Sequence, residues 1–305
     1  MNLRELEYLV AVADHRHFGA AAAACFVSQP TLSTQLRKLE TELGVELVER
    51  APRRVTLTAA GERIVERART VLRGVDDIRV LGHAARDPAA GAVRVGVFPT
   101  LAPYLLAHVV PGAHARWPDM ELLLVEEKTH LLLDELRSGR LDLALLARPV
   151  RSDGLEEHPL FGEDFVLALP ADHPLAAGHG PVPISALVGQ PVLLLDEGHC
   201  LRDQALSVCQ LVGATERGAF RATSLETLRQ MVAAGVGVTL LPRLAVEPPV
   251  PPSPDVAIRP FADPVPRRDI AAYWRRSDPR TAWLADLAAA LAALPPGLVA
   301  PPSPT

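Results

Sequence analysis

The sequence predicts an α/β protein that runs from a small helical head, through one long helix, into a larger region of alternating strands and helices. Three observations carry this. Apolar residues recur at helical spacing near the N-terminus, an apolar seam in steps of four and three follows from Ala59 to Gly82, and beyond Gly91 strand-like runs alternate with helical ones. At 305 residues and 32.7 kDa, with 49% hydrophobic residues, the chain is long enough for two or three domains with real cores.

Leu3, Leu6, Tyr8, Leu9 and Val12 mark a first helix, and the small-residue run Ala20 to Ala24 after Phe18 allows a second to pack closely. Ser28 is a good N-cap for a third, with Pro30 in its tolerated first turn and Leu32, Leu36, Leu39 and Leu43 as the buried stripe. At about 100° per residue, Pro30, Ser33, Thr34 and Arg37 fall roughly 150° from that stripe. Short hydroxyl side chains and one arginine on an outer face suit close approach to base edges and phosphates. Leu47 to Arg50 and Arg53 to Leu57 flank Pro52 as two short strands, and Arg50, Arg53 and Arg54 would form a basic wing. A solvated polar helix face and an ordinary loop would be the bland alternative.

The pattern Phe18-x-x-Ala21-Ala22-x-x-Cys25-x-x-Ser28-Gln29-Pro30-Thr31-Leu32-Ser33-x-Gln35-Leu36-x-x-Leu39-Glu40-x-x-Leu43-Gly44-Val45-x-Leu47 resembles the winged helix-turn-helix of LysR-type transcriptional regulators over roughly the first 65 residues. The resemblance implies that the helix from Ser28 is the recognition helix. Ser28, Gln29, Pro30, Thr31, Ser33, Thr34 and Arg37, with Arg50, Arg53 and Arg54 of the wing, are the expected DNA-binding residues. Val48 departs from a common phenylalanine, which requires only repacking.

Ile64, Ala68, Val71, Val75 and Ile78 form the seam of a paired helix. It reads as a dimerisation linker, against the alternative of a helix packed on its own domain. Asp87-Pro88 and then Gly91 mark the next boundary. A two-fold reader calls for a roughly palindromic DNA site.

Strand-like runs follow at Val93–Phe98, Leu122–Glu126, Leu141–Leu146, Phe165–Leu169, Val192–Leu195 and Val238–Leu241. Two α/β halves of this kind bind small ligands outside the carboxyl ends of their strands. Thr100 and Thr129 sit at such ends, where each hydroxyl would equally cap the following helix.

Cys200 and Cys209 lie nine residues apart in a chain with three cysteines. The N-terminus has the features of neither a signal nor a transit peptide, and no run of about 18 apolar residues appears, so a cytoplasmic location is expected. There a structural disulfide is out of place and a transient one is a switch. A helix between the two would hold their Cα atoms roughly 13 Å apart, beyond the ~7 Å limit of a disulfide. Joining them requires local unfolding. Cys200, near a helix N-terminus, is expected to have a lowered pKa and to be the nucleophile, and Cys209, buried, to resolve its sulfenic acid. Cys25 is expected in the core of the head.

Gly198 to Gln204, Cys209 and the run Phe220 to Arg229 are similar to the OxyR-type, peroxide-sensing branch of the LysR-type family. The resemblance implies Cys200 as peroxidatic and Cys209 as resolving cysteine, with Thr100, Thr129, His199, Asp203 and Arg268 lining a peroxide pocket. Arg267 adjoins Arg268, so either could serve. Ala219 departs from a histidine. A C-terminal sensor of periplasmic-binding-protein-like architecture with two subdomains is implied, which divides the chain into 1–58 (reader), 59–89 (linker), 90–161 with 267–294 (subdomain I), 162–266 (subdomain II) and 295–305 (disordered tail). The expected partners are double-stranded DNA, hydrogen peroxide, a second copy of the chain in a homodimer or homotetramer, RNA polymerase and a cellular thiol reductant, with no cofactor and no metal.

Charge alone does not announce DNA binding. The net charge is −5, although residues 1–90 carry 13 Lys or Arg against 12 Asp or Glu and the rest 18 against 24. Two rivals remain: a LysR-type regulator that responds to a small metabolite, and a thiol peroxidase. No phosphate loop, zinc spacing or nucleophile elbow supports another enzyme, and the expectation is that the chain is not one.

Overall fold

The computed structural model describes residues 1–51, 54–84, 89, 91–178, 180–213 and 216–303. The chain divides into two compact units, Met1–Arg86 and Asp87–Thr305.

In the first unit, helices α1 (Leu3–His15), α2 (Phe18–Ala24) and α3 (Gln29–Leu43) precede a two-stranded antiparallel wing, β1 (Val48–Ala51) and β2 (Arg54–Leu57), and the long helix α4 (Ala59–Ala84). Capping explains the helix starts. Asn2 and Glu5 cap α1 reciprocally, and Ser28 Oγ accepts the Thr31 N–H at α3. Leu6, Leu9, Val12, Leu32, Leu36 and Leu39 fill the core, joined by Val65 and Ala68 of α4. Leu43, expected in that stripe, is 36% exposed. It lies in the last turn beside the left-handed Gly44, where the helix has run past the core. Cys25 is half-buried against the same cluster. Gly61 permits closest packing here, since a Cβ would meet the Leu47 carbonyl oxygen at 2.1 Å.

The seam of α4 has two fates. Ala68 is buried and Ile64 and Val75 are half-buried, whereas Val71 and Ile78 are 47% and 68% exposed. The helix therefore packs on its own domain at its start and presents an open apolar edge beyond.

The second unit begins with β3 (Gly91–Val97), α5 (Ala102–Arg116), β4 (Met120–Glu126), α6 (Thr129–Arg137), β5 (Leu143–Ala147) and the 16-residue β6 (Leu155–Pro170). It continues through β7 (Val192–Leu195), α7 (Cys200–Val212), β8 (Glu216–Ala222), α8 (Leu225–Ala233), β9 (Thr239–Pro242), β10 (Val256–Pro260), β11 (Arg267–Arg275) and α9 (Thr281–Ala290). The main sheet runs β10-β6-β11-β5-β3-β4, with β9 also on β6, and β7 pairs with β8 in a small parallel sheet. Strands β3, β4 and β5 are parallel, and β11 is antiparallel to β5 and β6.

Two cores result. One gathers β3, α5, β5, β11 and α9; the other gathers the second half of β6 with β7, α7, α8 and β9. Strand β6 runs through both, with Phe161 in the first core and Phe165 in the second. Strands β8, β10 and β11 fall outside the six strand-like runs of the sequence.

Residues 295–303, expected as a disordered tail, are docked instead. Ala300 exchanges two backbone hydrogen bonds with Gly162, and Asp269 accepts the Ser303 N–H at 3.0 Å. Paired backbone groups fix the segment despite its proline content. Among the described residues, no helix is long and apolar enough to cross a membrane.

Candidate redox site and nucleic-acid interface

The site is anchored by a side chain at the start of β11. Arg268 Nε donates to Glu163 Oε2 at 2.8 Å, Nη1 to Thr100 Oγ1 at 2.9 Å and Nη2 to the Thr100 carbonyl at 3.0 Å. The guanidinium stands 5.1 Å from the centre of the Phe98 ring. Strand alternation decides between the two adjacent arginines. Arg268 faces inward, fully buried, while Arg267 points to the other face and pairs with Asp164 at 3.5 Å in a partly exposed ion pair.

Neither threonine caps a helix. The cap positions are Leu101 for α5 and Lys128 for α6, without side-chain cap bonds. Thr100 is 2% exposed and its hydroxyl is taken by Arg268. Thr129 Oγ1 is buried with no hydrogen-bond partner of normal geometry among the described residues, and it favours the thiolate of Cys200.

Cys200 is the first residue of α7, and its side chain packs against the first core although the rest of α7 belongs to the second. Burial pushes its thiol pKa up. Arg268, Thr129 and the backbone N–H groups of Leu201 and Cys200 itself pull it back, and burial wins. The lowering expected from the helix N-terminus is present but outweighed, because a thiolate loses its hydration there.

His199 holds the cap position of α7 with extended backbone, is 7% exposed and makes no side-chain cap bond. Burial and then Lys128 lower its pKa, against Asp196. Lys128 Nζ donates to the Glu197 carbonyl at 2.9 Å. Gly198 adopts φ +87, with Lys128 Cδ at 3.2 Å from where a Cβ would stand. Asp203, one turn into α7, is exposed, and its carbonyl accepts the Ser207 hydroxyl at 2.8 Å. The structure therefore brings Thr100, Thr129, Cys200 and Arg268 together, with His199 buried at the adjoining cap of α7, and leaves Asp203 exposed.

Cys209 is 2% exposed and belongs to the second core. Nine helical residues turn about 900°, so the two cysteines point to opposite sides of α7, with roughly 13 Å of rise between them. Neither is joined in a disulfide.

In the first unit, Ser28, Gln29, Pro30, Thr31, Thr34 and Arg37 are exposed on α3 and Ser33 is half-buried. Ser28 and Thr31 hydroxyls lie 2.8 Å apart at the cap. Arg50 and Arg54 lie on β1 and β2. Their side chains and all of Arg53 are outside the described residues, as is the Ala219 side chain on β8.

Three charged groups at or near the candidate sites escaped sequence reasoning. Glu163 and Lys128 act across 105 and 69 residues, respectively, and carry no local signal. Glu5, buried and 3.3 Å from Lys38, had one in the capping-box spacing Asn2 to Glu5.

The model of the lysR-family bacterial regulatory helix-turn-helix protein matches residues 3–62, and that of the LysR substrate binding domain matches residues 86–294. The chain is 49% identical over 293 residues to the DNA-binding transcriptional dual regulator OxyR of Escherichia coli K12, covering 96% of this chain and 95% of that one. A full-length OxyR variant from Pseudomonas aeruginosa has a TM-score of 0.82 at 40% identity, covering 100% of this chain and 98% of the other. A hydrogen-peroxide-bound OxyR mutant from Corynebacterium glutamicum has a TM-score of 0.66 at 36% identity, over 95% and 91%. With both domain models matched in order and the similarity spanning nearly the whole chain, the protein belongs to the LysR family of helix-turn-helix regulators, within its OxyR group.

Proposed function

We propose that the chain is a hydrogen-peroxide-sensing, DNA-binding transcriptional regulator that controls antioxidant genes and is switched by a reversible Cys200–Cys209 disulfide. The observation that carries this reading is the placement of Cys200 beside Arg268 and Thr129 while Cys209 lies on the far side of the same helix, in another core.

The chemistry balances without a cofactor. The Cys200 thiolate attacks one peroxide oxygen, the O–O bond breaks, and the departing hydroxide takes a proton to become water. Sulfur is oxidised by two electrons to a sulfenic acid. Thr100, Thr129 and Arg268 supply donors where charge develops on the leaving oxygen. The Cys209 thiolate then attacks the Cys200 sulfur, the S–O bond breaks, and a second water leaves. Since the two Cα atoms lie roughly 13 Å apart in an intact helix, α7 must unwind, and that change of shape is the signal.

The same separation supports a stoichiometric switch rather than a thiol peroxidase, because each cycle demands refolding of a helix. A thiol reductant of the cytoplasm resets it. The exposed Val71 and Ile78 of α4 support a homodimer through the linker, and pairs of dimers give a homotetramer on a roughly palindromic site, in contact with RNA polymerase. Ser28 to Arg37 of α3, with the wing arginines, read the DNA.

Peptide mass spectrometry after stoichiometric hydrogen peroxide, with footprinting of the same samples on the promoter of the protein's own gene, tests the reading. The expected result is a Cys200–Cys209 disulfide and a footprint that changes and reverts on reduction. Free thiols with an unchanged footprint would overturn it in favour of a metabolite-responsive regulator.

A further inference from the structure

Glu163 is the charged group of this neighbourhood to which the chemistry above gives no task. It sits in β6 directly across from Arg268 on β11, and neither side chain has any exposure to solvent. One carboxylate oxygen, Oε2, receives Arg268 Nε at 2.8 Å and lies 2.7 Å from Nη2. The other, Oε1, accepts the backbone N–H of Leu244 at 2.9 Å. The guanidinium is thus held along one edge by Glu163 and along the other by Thr100, through its hydroxyl and its carbonyl. Of the five N–H hydrogens of an arginine, these partners leave one on Nη1.

This arrangement has two consequences. A guanidinium gripped on both edges cannot swing, so its remaining hydrogen has one fixed direction. A carboxylate at ion-pair distance also offsets part of the positive charge that would otherwise act on the nearby sulfur at low dielectric. Arg268 then assists a reaction through a directed hydrogen bond as well as through its charge.

We propose that Glu163 is the positioning residue that makes Cys200 selective for peroxide over other thiol reagents, by fixing the guanidinium of Arg268 and offsetting its charge. The reagents differ in what they need. Peroxide requires a donor at the oxygen that leaves as hydroxide when the O–O bond breaks and sulfur takes the other oxygen. An alkylating reagent such as iodoacetamide, which loses iodide as the S–C bond forms, requires only thiolate. The proposal rests on Cys200 being the thiol that peroxide oxidises.

The test uses the full chain with Cys25→Ser and Cys209→Ser, so that Cys200 is the sole thiol. Its oxidation by hydrogen peroxide, followed by trapping of the sulfenic acid, and its alkylation by iodoacetamide are both timed by mass spectrometry from about pH 6 to pH 10. With Glu163→Gln the ratio of peroxide rate to alkylation rate falls roughly 10- to 100-fold, the loss that misplacement of a catalytic group produces. Alkylation at neutral pH becomes faster, because Arg268 is no longer offset. Glu163→Asp, which keeps the charge, recovers part of the ratio.

A folded Glu163→Gln protein whose ratio stays within about twofold of the parent overturns the proposal. Removing both charges together guards against a variant that fails to fold, since a buried pair tolerates joint replacement better than the loss of one partner. In Arg268→Gln, adding Glu163→Gln leaves the ratio unchanged if Glu163 acts through Arg268. A further fall there overturns the proposal. A parent Cys200 that peroxide does not oxidise overturns both this proposal and the assignment of the reactive thiol.

Discussion

At Cys200, burial opposes the arginine, the threonine hydroxyl and the helix N-terminus, and the net effect is a thiol pKa above the ordinary value. Alkylation of Cys200 therefore rises with pH across and beyond the usual thiol range, and Arg268→Met moves that rise to still higher pH. A pH series of alkylation rates checks both. Because the folded-state pKa is raised, the protonated thiol contributes stability that is complete below the unfolded pKa and is lost as pH climbs through the folded one. His199 has the opposite sign. Its folded pKa is lowered by burial and Lys128, so its contribution is present above the unfolded pKa and disappears as pH falls through the folded one. Replacing Lys128 by Met removes the charge next to it and moves that acid limb to higher pH, which a histidine titration by NMR reads directly. Cys209→Ser leaves the first oxidation intact and traps the sulfenic acid, whereas Cys200→Ser abolishes the response while DNA binding persists; intact-mass spectra and gel shifts distinguish them.

On the scale of elements, α7 is both the carrier of the two thiols and the barrier between them. Ser207 is exposed in mid-helix and returns its hydroxyl to the Asp203 carbonyl. Replacing it by alanine raises helix propensity by roughly 0.5 kcal/mol. Sulfenic acid formation at Cys200 keeps its rate, and disulfide formation slows about twofold, since only the second step requires unwinding. Quenched-flow alkylation separates the two steps, and an equal slowing of both would refute the unwinding account. At α3, Ser28→Ala removes the cap that receives the Thr31 N–H and costs about 1 kcal/mol of stability in thermal or urea unfolding of the full chain. Its effect on DNA affinity exceeds what that loss alone explains if the Ser28 end of α3 enters the groove.

For the whole molecule, the open edge of α4 is an apolar feature that a single copy leaves uncovered. Ile78→Glu places a charge at 68% exposure, where an isolated chain tolerates it and a paired helix does not. Light scattering is expected to find a smaller assembly, and fluorescence anisotropy a weaker, less cooperative binding to a two-half-site promoter. Unchanged assembly would place the dimer contact elsewhere.

The sequence by itself determined the reader helix, the long helix, the alternating second half and the pair of thiols nine residues apart, because each is written in local periodicity, capping residues or spacing. It could not rank burial against the helix N-terminus at Cys200, since desolvation depends on which core the first turn of α7 meets. Nor could it choose between Arg267 and Arg268, a choice made by the pleat once β11 is in register with β6. The ion pair of Arg268 with Glu163, the latch from Lys128 to Glu197 and the docking of residues 295–303 were decided only by tertiary structure. Each joins groups distant along the chain, and such contacts exist only when the strands that carry them are side by side.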